Sequence, residues 1–287
     1  MKIMNIKEVK SAIEHLERLN IEDGCAYEKA ILVYSTIEKL PKLTASISKG
    51  TILFRARIHK EHEEYKFFEK ISDISLQLSS DIESFGRCNK PGQSKFYCSI
   101  DRPTSFAELL TSLTDKKKGN KIYVTIGRWR LKTSLSAVIV TTPDKENRIC
   151  EYDQKYGSRL DNFIEQSEPD IREATVILYR FLFEKFRAGQ KDKDINTYTI
   201  TAAYCNSVLD HLQSDVDSIY YPSVRLPKQG VNFAINNEFV RLENIELIGA
   251  MKNELSVDSV QNGYPSCREI GKIDAQQIDV NNNRIIW

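Results

Sequence analysis

The chain has 287 residues, of which 41% are hydrophobic and 28% are charged, values typical of a folded globular protein. Its 41 Lys and Arg residues are balanced by 40 Asp and Glu residues, which excludes a general basic field for direct binding of nucleic acid or an anionic membrane. The first residues lack an apolar core of the length that a secretory leader needs, no apolar stretch is long enough to span a membrane, and the six cysteines show no paired spacing. These features predict a cytoplasmic protein with reduced thiols.

The chain begins with a segment, residues 6–40, that has the periodicity of two helices. Apolar residues recur at helical spacing in both halves of this segment: Val9, Ile13 and Leu16, then Ile31, Tyr34 and Ile37. Residues 1–45 therefore form a predicted N-terminal helical extension. Its apolar stripe has to be buried, either against the rest of the chain or across a homodimer interface.

The pattern changes to a period of two at residue 51. In the sequence TILFRAR, this alternation places Arg55 and Arg57 on one face of a strand and Phe54 and Ala56 on the other. Two guanidinium groups on one strand face are a candidate anion clamp, although surface strand arginines show the same pattern.

The later elements mix strands and helices. Strands are predicted at residues 95–100, 121–129, 136–141, 218–226, 230–235 and 239–251, and helices at 104–114, 158–188 and 196–213. Because these elements lack a regular strand-helix-strand rhythm, an α+β fold is favoured over a doubly wound one. We expect a main domain over residues 46–250 and a C-terminal tail, 251–287, that packs on it and ends in a strand.

Metal chemistry has little support in the sequence. His59 and His62 in HKEHEE could form a ligand pair beside Glu63, but a charged, solvated helix start is the simpler interpretation. His15 and His211 lie in separate segments without neighbouring carboxylates or cysteines. No Ser-His-Asp order, phosphate-binding loop or dinucleotide fingerprint occurs. We therefore expect no metal site.

The stretch SFGRCNKPGQSKFYCSIDRPTSFAELL, residues 84–110, leaves the role of Glu108 open. Its helix has an apolar stripe that excludes Glu108 from the core face: Phe106, Leu109, Leu110 and Leu113. Ser105 and Glu108 fit a capping box, in which the carboxylate stabilises the helix start by ~1 kcal/mol. The same position suits a carboxylate that faces a catalytic cleft.

This stretch resembles the signature of the RES domain family. The central match is GRCNKPGQSKFYCSIDRPTSFAEL, and the flanking matches are LFRAR upstream and YYPSVRLPKQGVNFAI downstream. The three pieces follow the family's order and cover roughly residues 51–236. Cys88 stands where many family members have Trp.

The resemblance implies an ADP-ribosyltransferase-like fold, in which helices flank a mixed or antiparallel sheet, and cleavage of the nicotinamide–ribose bond of NAD. NAD is then a substrate, phosphate a co-substrate if the reaction is phosphorolysis, and no cofactor is needed. The expected partners are a helix-turn-helix (Xre-type) antitoxin and a second copy of the chain. Two alternatives remain, transfer of ADP-ribose to a protein and a binding module without catalysis.

The resemblance also assigns individual residues. The family's glutamate maps onto Glu108, its tyrosine onto Tyr97, its serine onto Ser223 and its arginine onto Arg55, with Arg57 second. Glu108 would stabilise an oxocarbenium-like ribose, an arginine would clamp the pyrophosphate and Tyr97 would stack on nicotinamide. Nicotinamide leaves as a neutral pyridine, so the reaction needs neither leaving-group protonation nor a metal.

Further residues are expected to contact the substrate. Strand alternation places Tyr221 and Arg225 on the same face as Ser223, which would hydrogen-bond the ribose or the carboxamide. Arg87 and Asn89 lie in the glycine-rich turns. Together with Arg57 and Tyr221 they form the predicted NAD-binding set.

Overall fold

The computed structural model describes residues 5–20, 22–37, 40–59, 67–110, 113, 116–188, 195–209, 215–261 and 264–287. The chain folds into two compact units, each built from three segments. The first unit comprises residues 1–46, 78–95 and 135–236, and the second comprises residues 47–77, 96–134 and 237–287.

The described residues form both helices and strands, which confirms the predicted α+β class. The helices are α1 (Ile6–Glu17), α2 (Ala26–Thr36), α3 (Arg102–Leu109), α4 (Glu151–Glu165), α5 (Pro169–Arg187) and α6 (Ile195–Leu209). The strands are β1 (Thr44–Ile47), β2 (Ile52–Ile58), β3 (Lys95–Ser99), β4 (Lys121–Leu131), β5 (Leu135–Ile139), β6 (Ser218–Pro222), β7 (Val231–Asn236), β8 (Ile245–Gln261), β9 (Tyr264–Asp274), β10 (Gln277–Asp279) and β11 (Arg284–Ile286).

The first unit has a mixed set of strands in the order β1-β5-β6-β7, in which β5 and β6 are parallel and β6 and β7 antiparallel. Helix α1 packs on α5, and α2 packs on α6. The rings of Tyr34 in α2 and Tyr204 in α6 are 5.7 Å apart. The apolar stripe of the predicted extension is therefore buried against helices of the same chain, the first of its two expected locations.

The second unit has an antiparallel set of strands in the order β3-β2-β4-β8-β9. Helix α3 covers one face of these strands. Its residues Phe106, Leu109 and Leu110 pack on a cluster formed by Leu113 and by residues of β4 and β8: Ile122, Val124, Ile126, Leu255 and Val257. The buried face of α3 is thus the apolar stripe predicted from the sequence.

The C-terminal tail packs within the second unit and ends in the expected strand. Strand β11 pairs with β10, and Ile285 N–H donates to the carbonyl oxygen of Glu69 at 2.8 Å. Trp287 Nε1 donates to the carbonyl oxygen of Phe68 at 2.9 Å. The tail therefore holds residues 67–71 in place.

Several predicted elements differ from the structure. The helix predicted at residues 158–188 is two helices, because Pro169 starts a new one and cannot continue the hydrogen bonding of α4. The strand predicted at 239–251 is β8, which begins only at Ile245, after a turn. Strand β9 was missed, because an edge strand with one pairing partner carries many polar residues.

None of the helices, over the residues that the structure describes, combines the length and the apolar character needed to cross a membrane.

Candidate functional site

Helix α3 begins earlier than predicted, which removes the capping interpretation of Glu108. Asp101 is the N-cap: its Oδ1 accepts from the N–H of Thr104 at 2.7 Å, and Pro103 occupies the first turn. Ser105 instead donates its hydroxyl to the carbonyl oxygen of Phe54 at 2.8 Å. Glu108 lies in the last turn of α3, too far along the helix for its carboxylate to cap the first turn.

Tyr97 lies on the face of the strands that α3 covers. Phe54 of β2 pairs directly with Ser99 of β3, so their side chains point to the same face, the one on which α3 packs. Tyr97 is two residues from Ser99 and therefore shares that face, as the alternation in the sequence predicts. Its side chain is half-buried.

The helical position of Glu108 places it on the β3 side of α3. Strand β3 ends at Ser99, which pairs with Phe54 near the start of β2. Strand β4 begins at Lys121, beyond Ile58 at the end of β2. Helix α3, which connects the two strands, therefore runs in the same direction as β2. Ser105 contacts β2, and Glu108, three residues later, lies on the same flank of the helix. The apolar stripe occupies the opposite flank, towards β4 and β8. Glu108 is half-buried there.

Arg55 lies on the other face of β2. Its Nε donates to the carbonyl oxygen of Ser75 and its Nη1 to that of Tyr97, both at 2.8 Å. The guanidinium lies 5.0 Å from the centre of the Phe96 ring. Burial lowers the pKa of Arg55 to about 10, which leaves it charged at neutral pH.

Arg57 shares that face with Arg55. It donates to the carbonyl oxygen of Asp73, and its guanidinium lies 4.7 Å from the centre of the Phe68 ring. His59, on the same face, is buried with its Nε2 2.8 Å from Thr125 Oγ1 and its ring stacked on Phe68. His59 therefore serves packing, whereas His62, Glu63 and His211 lie outside the described residues.

The glycine-rich turns of the signature lie in the first unit. The N–H of Gly86 donates to the carbonyl oxygen of Asn89 at 3.0 Å, and Gly92 has a φ of 73°, a conformation that favours glycine. Both predicted turns therefore form. Asn89 is buried and donates its side-chain amide to the carbonyl oxygen of Lys90 at 3.0 Å.

Arg87 contacts the C-terminal end of α5. It donates to the carbonyl oxygens of Lys185, Phe186 and Ala188, at 3.2, 2.7 and 3.3 Å. The last carbonyls of a helix generally have no partner within it, and the end of a helix favours a positive charge. Tyr198 of α6 lies under the guanidinium, 5.2 Å away.

A hydrogen-bond network that the sequence did not reveal supports these turns. The side-chain amides of Gln93 and Asn206 exchange two hydrogen bonds of 2.9 and 2.8 Å, and Asn206 donates to Tyr27 Oη at 2.7 Å. The Tyr27 ring also lies 5.7 Å from that of Phe85. No short-range pattern could have indicated this network, because its members are 66 to 179 positions apart.

Ser223 does not continue a strand, so the predicted alternation from Tyr221 to Arg225 is wrong. Strand β6 ends at Pro222, and Ser223 starts a turn in which its Oγ accepts from the N–H groups of Arg225 and Leu226, both at 3.1 Å. Ser223 is fully buried. Tyr221, also buried, packs 5.5 Å from the ring of Phe186.

The structure thus divides the predicted residues into three groups. Tyr97 and Glu108 share one face of the second unit's strands, and Arg55 and Arg57 occupy the other. The remaining predicted residues belong to the first unit: Arg87, Asn89, Tyr221 and Ser223. Metal binding has no candidate cluster of three or more His, Cys, Asp or Glu within the described ranges.

A family model matches most of the chain. The model of the RES domain matches residues 52–252. No curated protein matches the chain. The matched region contains α3, the glycine-rich turns and the serine turn, and it spans more than half of the 287 residues. The chain therefore belongs to the RES domain family.

Proposed function

We propose that this protein cleaves the nicotinamide–ribose bond of NAD, with Glu108 as the carboxylate that stabilises the transition state. The observation that supports this most directly is the position of Glu108: it is half-buried, has no part in the N-cap of α3 and lies on the same strand face as Tyr97. Membership of the RES domain family supports a reaction of this kind.

The chemistry needs few groups. As nicotinamide departs, positive charge develops on the ribose, and a carboxylate held beside it stabilises that charge without any proton transfer to the leaving group. An aromatic ring on the strand face that α3 covers can stack on the nicotinamide, the role that we assign to Tyr97. A rigid helix on a close-packed strand face suits this preorganisation, because it fixes the carboxylate before the substrate binds.

The remaining assignments are part of the same proposal. Ser223 and Tyr221 would contact the ribose or carboxamide, and Arg87 and Asn89 the phosphates. Arg55 and Arg57 already donate to backbone carbonyls on the far face of β2, so their role as a pyrophosphate clamp needs a separate test. The biological role that we propose is that of a growth-inhibiting toxin acting on cytoplasmic NAD, neutralised by an Xre-type antitoxin.

The test is nicotinamide release from NAD by the purified protein, with and without phosphate, and with a cell lysate as a source of protein acceptors. Hydrolysis predicts free ADP-ribose, phosphorolysis predicts stimulation by phosphate, and transfer predicts labelled lysate proteins. If no nicotinamide is released under any condition, a binding module without catalysis replaces the proposal.

The matched variant is Glu108→Gln, which keeps the size and hydrogen-bonding capacity of the side chain and removes its charge. We expect a rate lower by about two orders of magnitude or more, in line with loss of a preorganised electrostatic group. Glu243→Gln makes the same chemical change at an exposed position and should retain full activity. Normal turnover by Glu108→Gln would reject the assignment of the carboxylate.

A further inference from the structure

The start of α3 is tied to the long β8–β9 hairpin by one arginine. Arg102 Nη2 donates to Asn253 Oδ1 at 2.6 Å, and the same nitrogen forms an ion pair with the carboxylate of Glu269. The guanidinium lies 5.3 Å from the centre of the ring of Phe106, one turn further along α3. Its side chain is only 31% exposed, so the ion pair is partly shielded from solvent.

The partners of Arg102 are themselves held in place. Asn253 is fully buried in β8, and its Nδ2 donates to the carbonyl oxygens of Val124 and Met251 at 3.3 and 3.2 Å. These two bonds fix the amide so that Oδ1 faces α3. Glu269 lies in β9, the neighbouring strand of the same hairpin.

Both partners lie beyond residue 252, where the match to the RES domain ends. The anchor for α3 is therefore supplied by a part of the chain outside the family region. The β8–β9 pairing that carries it extends from Met251–Asp274 to Gln261–Tyr264.

The anchor and Glu108 lie on different flanks of the same short helix. Arg102 reaches towards β8 and β9, whereas Glu108 lies on the flank towards β3, about 9 Å further along the axis. Arg102 therefore adds a fixed contact at the first turn of α3, besides the apolar stripe and the hydrogen bond of Ser105. Loss of this contact would let the first turn of α3 shift, and this would move the carboxylate of Glu108 relative to the strands that α3 covers.

We infer that Arg102 is a positioning residue for Glu108, and that Asn253 and Glu269 make the C-terminal hairpin part of the active-site support. This inference rests on the proposed function, because it concerns the orientation of the proposed catalytic carboxylate. A displacement of about 1 Å in such a group costs up to two orders of magnitude in rate.

The first experiment measures steady-state kinetics of nicotinamide release for Arg102→Ala. We expect kcat to fall about 10–100-fold with KM changed less than about threefold, because a mispositioned carboxylate affects the transition state more than substrate binding. Arg268→Ala is the matched control. Arg268 lies on β9 next to Glu269, and its ion pair with Asp258 at 3.5 Å stays within the β8–β9 hairpin. Equal losses in both variants would overturn the inference.

A double-mutant cycle separates positioning from a general structural effect. If Arg102 acts through Glu108, Arg102→Ala should cause no further loss of rate in the Glu108→Gln background. A full additional loss in that background would overturn the inference. Arg102→Lys, which keeps the charge but not the guanidinium fork, should recover part of the rate and guards against a variant that fails to fold.

Hydrogen exchange of the α3 amides distinguishes failure of this inference from failure of the proposed function. We expect exchange in residues 104–110 to be about tenfold faster in Arg102→Ala and unchanged in Arg268→Ala. If the wild type releases no nicotinamide, this exchange result still supports the anchor while the proposed function fails. Unchanged exchange in Arg102→Ala overturns the inference, whether or not NAD is cleaved.

Discussion

The two faces of strand β2 use charged groups in different ways. On one face, Arg55 and Arg57 lie over phenylalanine rings and donate to backbone carbonyls of residues 73, 75 and 97. On the other face, α3 packs by an apolar stripe, and the carboxylate of Glu108 lies on its flank, outside both the core and the helix cap.

The difference shows why residue type alone is a weak guide to a binding site. Guanidinium groups satisfy buried backbone carbonyls as readily as they bind a pyrophosphate, and both uses produce arginines at alternate positions of a strand. A carboxylate has no such use next to backbone carbonyls, since both only accept hydrogen bonds. The location of each charged group in the fold therefore has to be known before its residue type is assigned to a binding site.

After Glu108, the largest effect on this comparison is expected from Tyr97, the second residue of the α3 face. Tyr97→Ala should lower kcat/KM for NAD by about 10–100-fold, the amount associated with loss of aromatic stacking on a base. Tyr97→Phe keeps the ring and should remain within about threefold of the wild type. Nicotinamide release is the measurement, and equal losses in both variants would assign the contribution to the hydroxyl instead of the ring.

Substitution of the arginines on the other face of β2 should change the stability of the protein more than its activity. Arg55→Lys removes the geometry that serves two carbonyls at once, and we expect it to lower the free energy of unfolding by about 1–2 kcal/mol with little change in KM for NAD. Denaturant unfolding and steady-state kinetics measure the two quantities on the same sample.

Arg57→Lys is the comparison within that face, since a single carbonyl partner of Arg57 is seen in the described part of the chain, and its loss should be smaller. A large rise in KM for Arg55→Lys with unchanged stability would instead support the pyrophosphate clamp that the family resemblance assigned to it. That outcome would remove the contrast between the two faces.

Much of the second unit's fold could be predicted from the sequence. The alternation in TILFRAR placed Arg55 and Arg57 on one face, and the stripe from Phe106 to Leu113 gave the buried side of α3. Both patterns reflect burial of local segments, which periodicity reports directly. Strand β9 could not be found this way, because its pairing with β8 depends on backbone hydrogen bonds that leave no strong apolar pattern at an edge.

The candidate site was less accessible to sequence analysis. The sequence suggested one cleft for Arg55, Tyr97 and Glu108, but which face a residue occupies depends on the register between β2 and β3, and register is a long-range property. The turn at Ser223 was also hidden, since a serine after Pro222 looks the same in a strand and in a turn. Asp101 was a missed local signal: an aspartate two residues before a proline is a typical helix start.

The smallest expected effect concerns the N-cap of α3. The identity of this cap decides whether Glu108 caps the helix or is available for catalysis. Asp101→Ala removes the acceptor for both the N–H and the hydroxyl of Thr104, at 2.7 and 2.8 Å, and should lower the free energy of unfolding by about 1 kcal/mol. Asp101→Asn can still accept from the N–H and should lose less. Glu108→Ala should stay within about 0.5 kcal/mol of the wild type, as expected for a residue outside the cap. If thermal unfolding instead shows Glu108→Ala to be the more destabilised variant, Glu108 has a structural role in α3, and its assignment as the catalytic carboxylate loses its main support.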